Sequence, residues 1–282
     1  MIDLLAAILM ALFQGIIEWL PISSEGQLSL LFVTIYGLDE LAAVTLALFL
    51  HLGTMMSVIW YFRKDLLEMV DQHSPIFEIM ILTTIGTALT AVPIVLIFKT
   101  YWVSFTTNLI IPADLLFTII VGSLLILTGL VLKKQSDQGT REIYSVTRKE
   151  AFLLGLAQGI AALPGISRSG MTITFLLIIG IMHKDAFKIS FLISIPAVLG
   201  ATSLEFLLEG FQIDFTGMTV GNVFFPFPLL VFSIFLTAII GILTMDLLLN
   251  LKKIPYDKFC FAFGTTTILL GFLFFFIRVV SA

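Results

Sequence analysis

Two short segments of this chain carry residue types that suit the chemistry of phosphate groups. The first segment contains Glu18, Ser24 and Glu25, and the second contains Arg168. A guanidinium binds phosphate oxygens through a planar fork of N–H donors, and a hydroxyl beside a base can act as a nucleophile. Carboxylates hold a divalent cation or move a proton. If the fold brings the segments together, they form an anion-binding site that is cationic on one side and acidic on the other.

The two segments are copies of one motif, so the chain is internally duplicated. Residues 14–26 read QGIIEWLPISSEG, and residues 158–170 repeat the pattern without a gap as QGIAALPGISRSG. Each copy interrupts an apolar run with proline, glycine and serine. A membrane tolerates irregular backbone only where protein buries it or where it lines a cavity. The duplication therefore predicts two broken helices that meet at one site.

The composition is that of an integral membrane protein. Of the 282 residues, 59% are hydrophobic and 12% are charged, and the mean hydropathy is +1.11. These values are far too apolar for a soluble domain of this length. The net charge of -4 is small and scattered, so nucleic acid is excluded as a partner. The single cysteine, Cys260, excludes an intrachain disulfide.

The apolar runs predict an all-α polytopic membrane protein built from two inverted repeats. Six runs are long enough to cross a hydrocarbon core of roughly 30 Å, at about 41–62, 77–98, 113–132, 187–208, 226–250 and 258–280. Two further stretches, 4–36 and 150–182, contain the breaks and are interpreted as re-entrant hairpins. Each repeat then has one broken-helix hairpin and three transmembrane helices.

Three spans in each half is an odd number, so the second repeat, 151–282, is predicted to be inverted relative to the first, 1–132. Residues 133–150 are the cytoplasmic linker within one membrane domain, 1–282. Basic residues test the orientation, because short cytoplasmic loops accumulate them. With residues 1–40 outside, the inside loops hold twelve of the chain's 15 lysines and arginines: Arg63, Lys64, Lys133, Lys134, Arg141, Arg148, Lys149, Lys184, Lys188, Lys252, Lys253 and Lys258. The hairpin tips then meet near the midplane, and the site opens to the outer face of the cell membrane.

Each hairpin is predicted to present a helix N-terminus to the site. Gln14 and Glu18 are four residues apart, so they share one helix face. One of Ser23 and Ser24 is expected to cap the following half-helix, with Ser23 in the N-cap position, and Ser167 takes that position in the second hairpin. Two such N-termini stabilise an anion through their unpaired N–H groups.

The carboxylate of Glu18 needs a partner or a role, because a charge within the membrane costs about 2.5–3.5 kcal/mol. In one interpretation, Glu18 and Arg168 form an ion pair that only holds the two hairpins together. In the other, Glu18 and Glu25 bind Mg²⁺ or Ca²⁺ or move a proton, while Arg168 holds the phosphate. Ser24 is then either a nucleophile or the capping residue.

At these residues the chain resembles the undecaprenyl-pyrophosphate phosphatase family, membrane enzymes linked to bacitracin resistance. The first family motif is a Glu or Gln, three residues, a Glu and then Leu-Pro-x-Ser-Ser-x-Gly-His. It is matched by Gln14, Glu18, Leu20, Pro21, Ser23, Ser24 and Gly26. The second motif, Pro-Gly-x-Ser-Arg-Ser-Gly-x-Thr, is matched in full by Pro164, Gly165, Ser167, Arg168, Ser169, Gly170 and Thr172. The His-Leu-Gly-Thr segment at 51–54 is similar too, and the resemblance weakens after about residue 205.

The resemblance implies an enzyme that hydrolyses a polyprenyl diphosphate to the monophosphate and phosphate, which recycles the lipid carrier of cell-envelope glycans. It implies metal or proton handling by Gln14 and Glu18, a nucleophilic or phosphate-binding role for Ser24, and a phosphate clamp at Arg168. The residues expected to contact substrate are Gln14, Ser23, Gln27, His51, Ser167, Ser169, Gly170 and Thr172. The expected partners are the lipid and the membrane, and a homodimer is left open.

Two positions depart from the family pattern. Gln27 replaces the motif histidine, and Glu25 replaces the small residue before the motif glycine. An amide cannot act as a general base, so we expect Glu25 to supply the base or the metal ligand that the imidazole supplies elsewhere. The alternative is that hydrolysis has been lost and that the chain is a transporter, a lipid flippase or a non-catalytic binder of a polyprenyl phosphate. His51 is either a packed structural residue or a residue that supports the site from behind.

Overall fold

The structure, a computed structural model, describes residues 2–69, 74–107, 111–133, 139–209, 212–213, 216–220, 223–250 and 256–281. Within these ranges the chain forms twelve α-helices and one short 3₁₀ turn, Ile143–Ser145. In chain order the helices are α1 Leu4–Ile17, α2 Ser24–Tyr36, α3 Glu40–Tyr61, α4 Arg63–Met69, α5 Pro75–Thr106, α6 Ala113–Lys133, α7 Arg148–Ile160, α8 Arg168–Ile178, α9 His183–Leu192, α10 Ser194–Glu209, α11 Phe227–Asn250 and α12 Tyr256–Ser281.

Six helical segments among the described residues are long and apolar enough to cross a membrane, as the sequence predicts. They are Glu40–Tyr61, Pro75–Thr106, Ala113–Lys133, His183–Leu208, Phe227–Leu247 and Asp257–Ile277. Helices α9 and α10 together supply the fourth segment. Large apolar side chains on these helices are exposed, among them Leu89, Leu243 and Leu269. The protein is a multi-pass membrane protein whose exposed apolar surface suits a lipid solvent.

A small antiparallel sheet follows α10 and departs from the all-α prediction. Strands β1 (Gln212–Ile213), β2 (Gly217–Val220) and β3 (Val223–Pro226) pair in the order β1-β2-β3. The backbone N–H of Ile2 donates to the carbonyl of Phe224 at 3.0 Å and so joins the start of the chain to this sheet. Strands this short carry too few residues for a period-two pattern to be recognised in a sequence.

Both predicted helix breaks are present. Residues 18–23 separate α1 from α2, and residues 161–167 separate α7 from α8. At the second break Gly165 has a φ of +100°, a region that glycine enters at no steric cost. A Cβ at this position would also lie 2.6 Å from the Cα of Val121. Both the backbone conformation and the contact with α6 therefore require glycine.

The linker between the halves is shorter than the predicted segment 133–150. Helix α6 ends at Lys133, and α7 already begins at Arg148. Thr147 caps α7 through a capping box, because its side chain accepts from the N–H of Glu150, whose carboxylate accepts from the N–H of Thr147 at 2.8 Å. Residues 134–138 of the linker lie outside the described residues, as do Lys252 and Lys253, which also entered the orientation count.

The two halves interlock through matching contacts. Helix α1 packs against α11, and α7 packs against α5, so the first helix of each hairpin lies on a helix of the other half. Small residues allow such close contact between membrane helices. A Cβ on Gly155 of α7 would lie only 2.2 Å from the carbonyl oxygen of Thr83 in α5. The inverted orientation of the second half and the repeat boundaries stay predictions.

Trp19 anchors the tip of the first hairpin. Its Nε1 donates to the carbonyl of Gly241 at 3.1 Å and to Thr244 Oγ1 at 3.0 Å, both in α11. Its ring meets the ring of Phe191 in α9 edge to face, with centroids 5.2 Å apart. A fully buried indole with a satisfied N–H fixes its backbone in one place. The first break is thereby held against elements of the second half, beside the second break.

Candidate active site

The two helix breaks line one cavity, and concave sites between packed helices are where small molecules commonly bind. Helices α3, α5 and α10 complete its walls. We call it the site cavity. Eight of the residues singled out in the sequence line it: Glu18, Ser23, Ser24, Glu25, His51, Ser167, Arg168 and Ser169. The structure thus brings the two motif copies together.

Glu18 is the centre of the hydrogen-bond network in this cavity. Its Oε1 accepts from Arg168 Nη2 at 2.7 Å. Its Oε2 accepts from Gln14 Nε2 at 2.9 Å and from Ser24 Oγ at 2.5 Å, and it lies 3.1 Å from His51 Nε2. The predicted ion pair between Glu18 and Arg168 is therefore present. The same carboxylate also orients the serine and the imidazole, so it does more than hold the hairpins together.

Arg168 is the first residue of α8 and is held from two sides. Its Nη1 donates to the carbonyl of Ser190 in α9 at 3.0 Å, while Nη2 donates to Glu18. The preceding residue, Ser167, caps the helix as predicted, because its Oγ accepts from the N–H of Gly170 at 3.1 Å. Five N–H donors belong to a guanidinium. The two fixed bonds leave further donors on a rigidly placed group that lines the site cavity.

His51 lies within hydrogen-bonding range of the candidate nucleophile. Its Nδ1 is 2.9 Å from the carbonyl oxygen of Ala47, one turn earlier in α3. Because a carbonyl only accepts, Nδ1 carries a proton and Nε2 is the nitrogen that faces the cavity. Nε2 lies 3.3 Å from Ser24 Oγ. His51 is therefore part of the site itself, and neither sequence interpretation assigned it a place beside the serine.

The prediction that Ser23 caps α2 is wrong. Ser23 occupies the N-cap position, but its side chain makes no capping hydrogen bond, and its φ of 57° lies in the left-handed region. Ser24 does not cap either, since its hydroxyl donates to Glu18. A non-glycine residue with this backbone conformation is strained, and such residues cluster at active sites. This backbone conformation directs both serine side chains toward the site cavity. A serine hydroxyl that capped α2 would bond to the helix backbone and could not take that position.

Gln27, the residue at the family's histidine position, faces away from the site cavity. Its Nε2 donates to Thr267 Oγ1 in α12 at 3.2 Å. Residue 27 is three positions beyond Ser24 on α2, and the helix turns its side chain toward α12 instead of toward Glu18. Gln27 therefore does not line the site cavity, and its contact with substrate stays a prediction.

Three other predicted substrate contacts lie behind the cavity wall. Gln14 donates to Glu18, so it positions the carboxylate. Thr172 Oγ1 lies 2.6 Å from Ser190 Oγ, on the element that holds Arg168. Gly170 lets the hairpins approach, because a Cβ there would lie 3.2 Å from Pro21 Cβ. These residues support the site and do not line it.

A second cavity joins the site cavity, and four residues line both: Glu25, Leu48, Ala162 and Ala201. We call it the outer cavity, because it extends to Lys99 and Glu205, near the ends of α5 and α10 that the basic residues predict to lie outside. Lys99 Nζ lies 2.6 Å from Glu205 Oε2, which also accepts from Thr45 Oγ1 at 3.0 Å. Sequence reasoning missed this pair. A lone lysine and a lone glutamate, each within an apolar run, are the signal that could have identified it.

The predicted metal ligands, Glu18 and Glu25, do not form a metal centre by themselves. Among the described residues there is no group of three or more His, Cys, Asp or Glu side chains placed to hold an ion. Both oxygens of Glu18 already accept hydrogen bonds from nearby donors. Glu18 therefore does not fit the role of a ligand, and binding through Glu25 would need oxygens from the substrate. Mg²⁺ or Ca²⁺ stays a prediction.

The bacitracin resistance protein BacA family model matches residues 7–273, which include both helix breaks, five of the six apolar segments and most of the sixth. The chain belongs to the BacA family. Among its relatives, a protein of Methanothrix thermoacetophila named undecaprenyl-diphosphatase is 37% identical over 269 residues, covering 95% of this chain and 97% of the relative. A protein of the same name from Methanococcoides burtonii is 32% identical, covering 97% of this chain and 100% of the relative. Another, from Haloarcula marismortui, is 33% identical, covering 96% of this chain and 98% of the relative. This BacA chain therefore resembles these relatives over almost its full length.

Proposed function

We propose that this protein is an integral membrane phosphatase that hydrolyses a polyprenyl diphosphate of the undecaprenyl type to the monophosphate and phosphate, recycling the lipid carrier for cell-envelope glycan synthesis. The observation that carries the proposal is the placement of the Ser24 hydroxyl. It lies between Glu18 Oε2 and His51 Nε2, in a cavity that Arg168 also lines. A nucleophile, a base and a cationic clamp therefore meet in one cavity. The names of the relatives agree with this assignment.

In the proposed reaction, Ser24 Oγ attacks the terminal phosphorus of the diphosphate. The hydroxyl donates to Glu18 before substrate binds; in the reaction it turns its proton to His51 Nε2, 3.3 Å away, and the bond between that phosphorus and the bridging oxygen breaks. The prenyl monophosphate leaves with the proton that His51 returns to it, and a phosphoserine remains. Water then attacks the same phosphorus and gives a proton to His51, the bond between phosphorus and Ser24 Oγ breaks, and His51 returns the proton to Ser24 as inorganic phosphate is released. Glu18 supports both steps because it orients Ser24 and stabilises the imidazolium that forms.

The charge on the transferred phosphoryl group is stabilised by the second hairpin. Arg168 supplies guanidinium donors, and the N-terminus of α8 directs its backbone dipole toward the same place. The bond to Ser190 and the ion pair with Glu18 hold the guanidinium before substrate arrives. Preorganised donors of this kind lower the barrier more than mobile ones do.

The outer cavity supports a site that opens to the outer face. It leads from Glu25 along α5 and α10 toward Lys99, and the charge pattern predicts that this end of both helices lies outside. Mg²⁺ or Ca²⁺ would be held here by Glu25 together with diphosphate oxygens, where it would neutralise charge on the substrate. The steps assigned to Ser24, His51 and Arg168 do not depend on that ion.

Phosphate release by the purified protein in detergent tests the proposal. Undecaprenyl diphosphate is the substrate, with and without Mg²⁺, and the variants are Arg168→Ala and Ser24→Ala. We expect turnover by the wild type and loss of at least about 100-fold in each variant, the size of effect that removing one stabilising donor produces. Tight binding of the lipid by wild-type protein that releases no phosphate from it would instead indicate a binder or a transporter.

A further inference from the structure

Three recesses lie in a row along the seam between α5 and α10. The outer cavity and the site cavity occupy the outer and middle parts of this seam. The third recess, which we call the inner groove, is lined by Phe77, Met80, Ile81, Thr84, Ile85 and Pro196. No charged residue lines it. All of its lining residues lie on α5 and α10, on the side of the site cavity opposite to Lys99.

The recesses follow one face of α5 through the depth of the membrane. Met80, Thr84, Thr87, Ala91 and Val95 recur at intervals of three or four residues, so they share a helix face. From Phe77 to Phe98 this face extends over about 30 Å at 1.5 Å per residue, the thickness of a hydrocarbon core. The site cavity lies at its middle.

The inner groove adjoins the site cavity along both helices, although the two share no lining residue. Thr84 of the groove is one helical turn from Thr87 of the cavity, and Pro196 of the groove precedes Ala197 of the cavity. The groove also faces lipid, because Ile81 and Ile85 are 44% and 48% exposed. A chain that leaves the site cavity between α5 and α10 on this side therefore meets an apolar groove that is open to lipid.

Contacts of α5 with α7 and, at its far end, with α10 explain why the seam is open here. Thr87 Oγ1 and Thr90 Oγ1 donate to carbonyls of Gly155 and Leu156 at 3.2 and 3.1 Å, which binds α5 to α7. Toward α10, α5 is joined by the Lys99–Glu205 pair at the outer end. The seam is clamped beyond the site cavity on one side and opens on the other.

We propose that the inner groove binds the polyisoprenoid tail of the substrate while the diphosphate lies at Arg168. This rests on the proposed function. The tail is apolar and the groove is lined by apolar side chains, whereas the outer cavity presents Glu25, Lys99 and Glu205, which an apolar chain would desolvate at a cost. The seam therefore separates the two chemical parts of the ligand, with the tail toward the inside and the route for water and phosphate toward the outside.

The first test is the dependence of kinetics on chain length in Met80→Trp and Thr84→Trp, which fill the groove. Leu89→Trp is the matched control, on a 58% exposed residue of the same helix that lines none of the three recesses. The substrates are undecaprenyl, farnesyl and dimethylallyl diphosphate. We expect KM for the undecaprenyl substrate to rise about tenfold in the two groove variants, because each indole displaces bound methylenes. Dimethylallyl diphosphate, which does not reach the groove, should keep its wild-type kinetics, and Leu89→Trp should match the wild type throughout.

A second test does not depend on activity. Thr84→Cys places a small thiol in the groove, Leu89→Cys places one outside it, and the native Cys260 is fully buried. Undecaprenyl diphosphate should slow the reaction of a maleimide with Thr84→Cys several-fold and leave Leu89→Cys unaffected, while inorganic diphosphate should protect neither. Protection without hydrolysis would refute the proposed phosphatase but keep the tail site. Equal protection of both cysteines, or of neither, would overturn the tail site even if the protein proves to be a phosphatase.

Discussion

His51 Nε2 lies 3.3 Å from Ser24 Oγ and 3.1 Å from Glu18 Oε2, while Nδ1 of the same ring lies 2.9 Å from the carbonyl oxygen of Ala47. The bond to Ala47 fixes the ring orientation and its tautomer. An imidazole, a hydroxyl and a carboxylate thus contact one another, but not as in a Ser-His-Asp triad, because the carboxylate and the hydroxyl share Nε2 while a backbone carbonyl takes Nδ1. The imidazole that the sequence lacks at position 27 is present on α3.

His51→Gln should therefore lower kcat by about 100-fold or more, because a general base contributes roughly 10²–10⁴ in rate. KM should change little, since Arg168 and Glu18 keep their bond. Steady-state phosphate release with undecaprenyl diphosphate measures both constants. Adding Gln27→His to His51→Gln should not restore turnover, because residue 27 faces Thr267. Recovery in that double variant would show that the base acts from position 27, and the assignment to His51 would then be abandoned.

Glu25 should affect how turnover depends on the divalent cation, and it should not act as the general base. Among the described residues it has no hydrogen bond to Ser24, but it lines the site and outer cavities where diphosphate oxygens would lie. We expect Glu25→Gln to need about tenfold more Mg²⁺ for half-maximal turnover and to approach wild-type kcat at saturation. Titration of activity with Mg²⁺ after treatment with EDTA measures this. Glu18→Gln is the contrasting variant and should stay inactive at any Mg²⁺ concentration.

Much of this architecture could be predicted from the sequence because its signals are local. Proline, glycine and serine within apolar runs located both breaks, and a glutamate in one motif copy with an arginine in the other indicated the Arg168–Glu18 pair. The contact between Ser24 and His51 joins residues 27 positions apart and depends on the rotation of α3, which no local pattern reports. Ser23 shows a different limit. Serine favours the N-cap in general, but here the turn geometry that presents the site overrides that preference.

Ser23→Gly should stabilise the protein. A left-handed φ costs a residue with a Cβ about 1 kcal/mol, and glycine adopts it freely. Because the Ser23 side chain makes no capping bond, little is lost in exchange. Thermal unfolding in detergent should show a higher midpoint for Ser23→Gly, while Ser23→Ala, which keeps the strained backbone, should show no gain. A lower midpoint in the glycine variant would mean that the hydroxyl contributes more than the strain removes.

Lys99→Met should destabilise the protein by about 3 kcal/mol, since it leaves the carboxylate of Glu205 buried without its cation. Glu205 is 3% exposed, and Thr45 alone cannot replace a charge. The double variant Lys99→Met, Glu205→Gln removes both charges and should recover most of the loss. Unfolding midpoints of the wild type, both single variants and the double variant give the coupling energy. Additive effects would show that the pair does not clamp α5 to α10.

Acid should weaken the junction between the halves through Glu150. The guanidinium of Arg141, which donates to this carboxylate at 2.8 and 3.0 Å, holds the pKa of Glu150 at about 2, below its ordinary value of 4.5. A pKa that is lower in the folded state adds stability above the unfolded value of 4.5, and this stability is lost as the pH falls from about 4.5 toward 2. Because the pair is partly exposed, we expect a contribution on the order of 1 kcal/mol. The unfolding midpoints of the wild type and Glu150→Gln should differ at neutral pH and converge as the pH falls to about 2, where the carboxyl becomes protonated in the folded protein as well. If the difference between the two unfolding midpoints stays constant with pH, Glu150 stabilises the protein by capping α7 and not through its ion pair with Arg141.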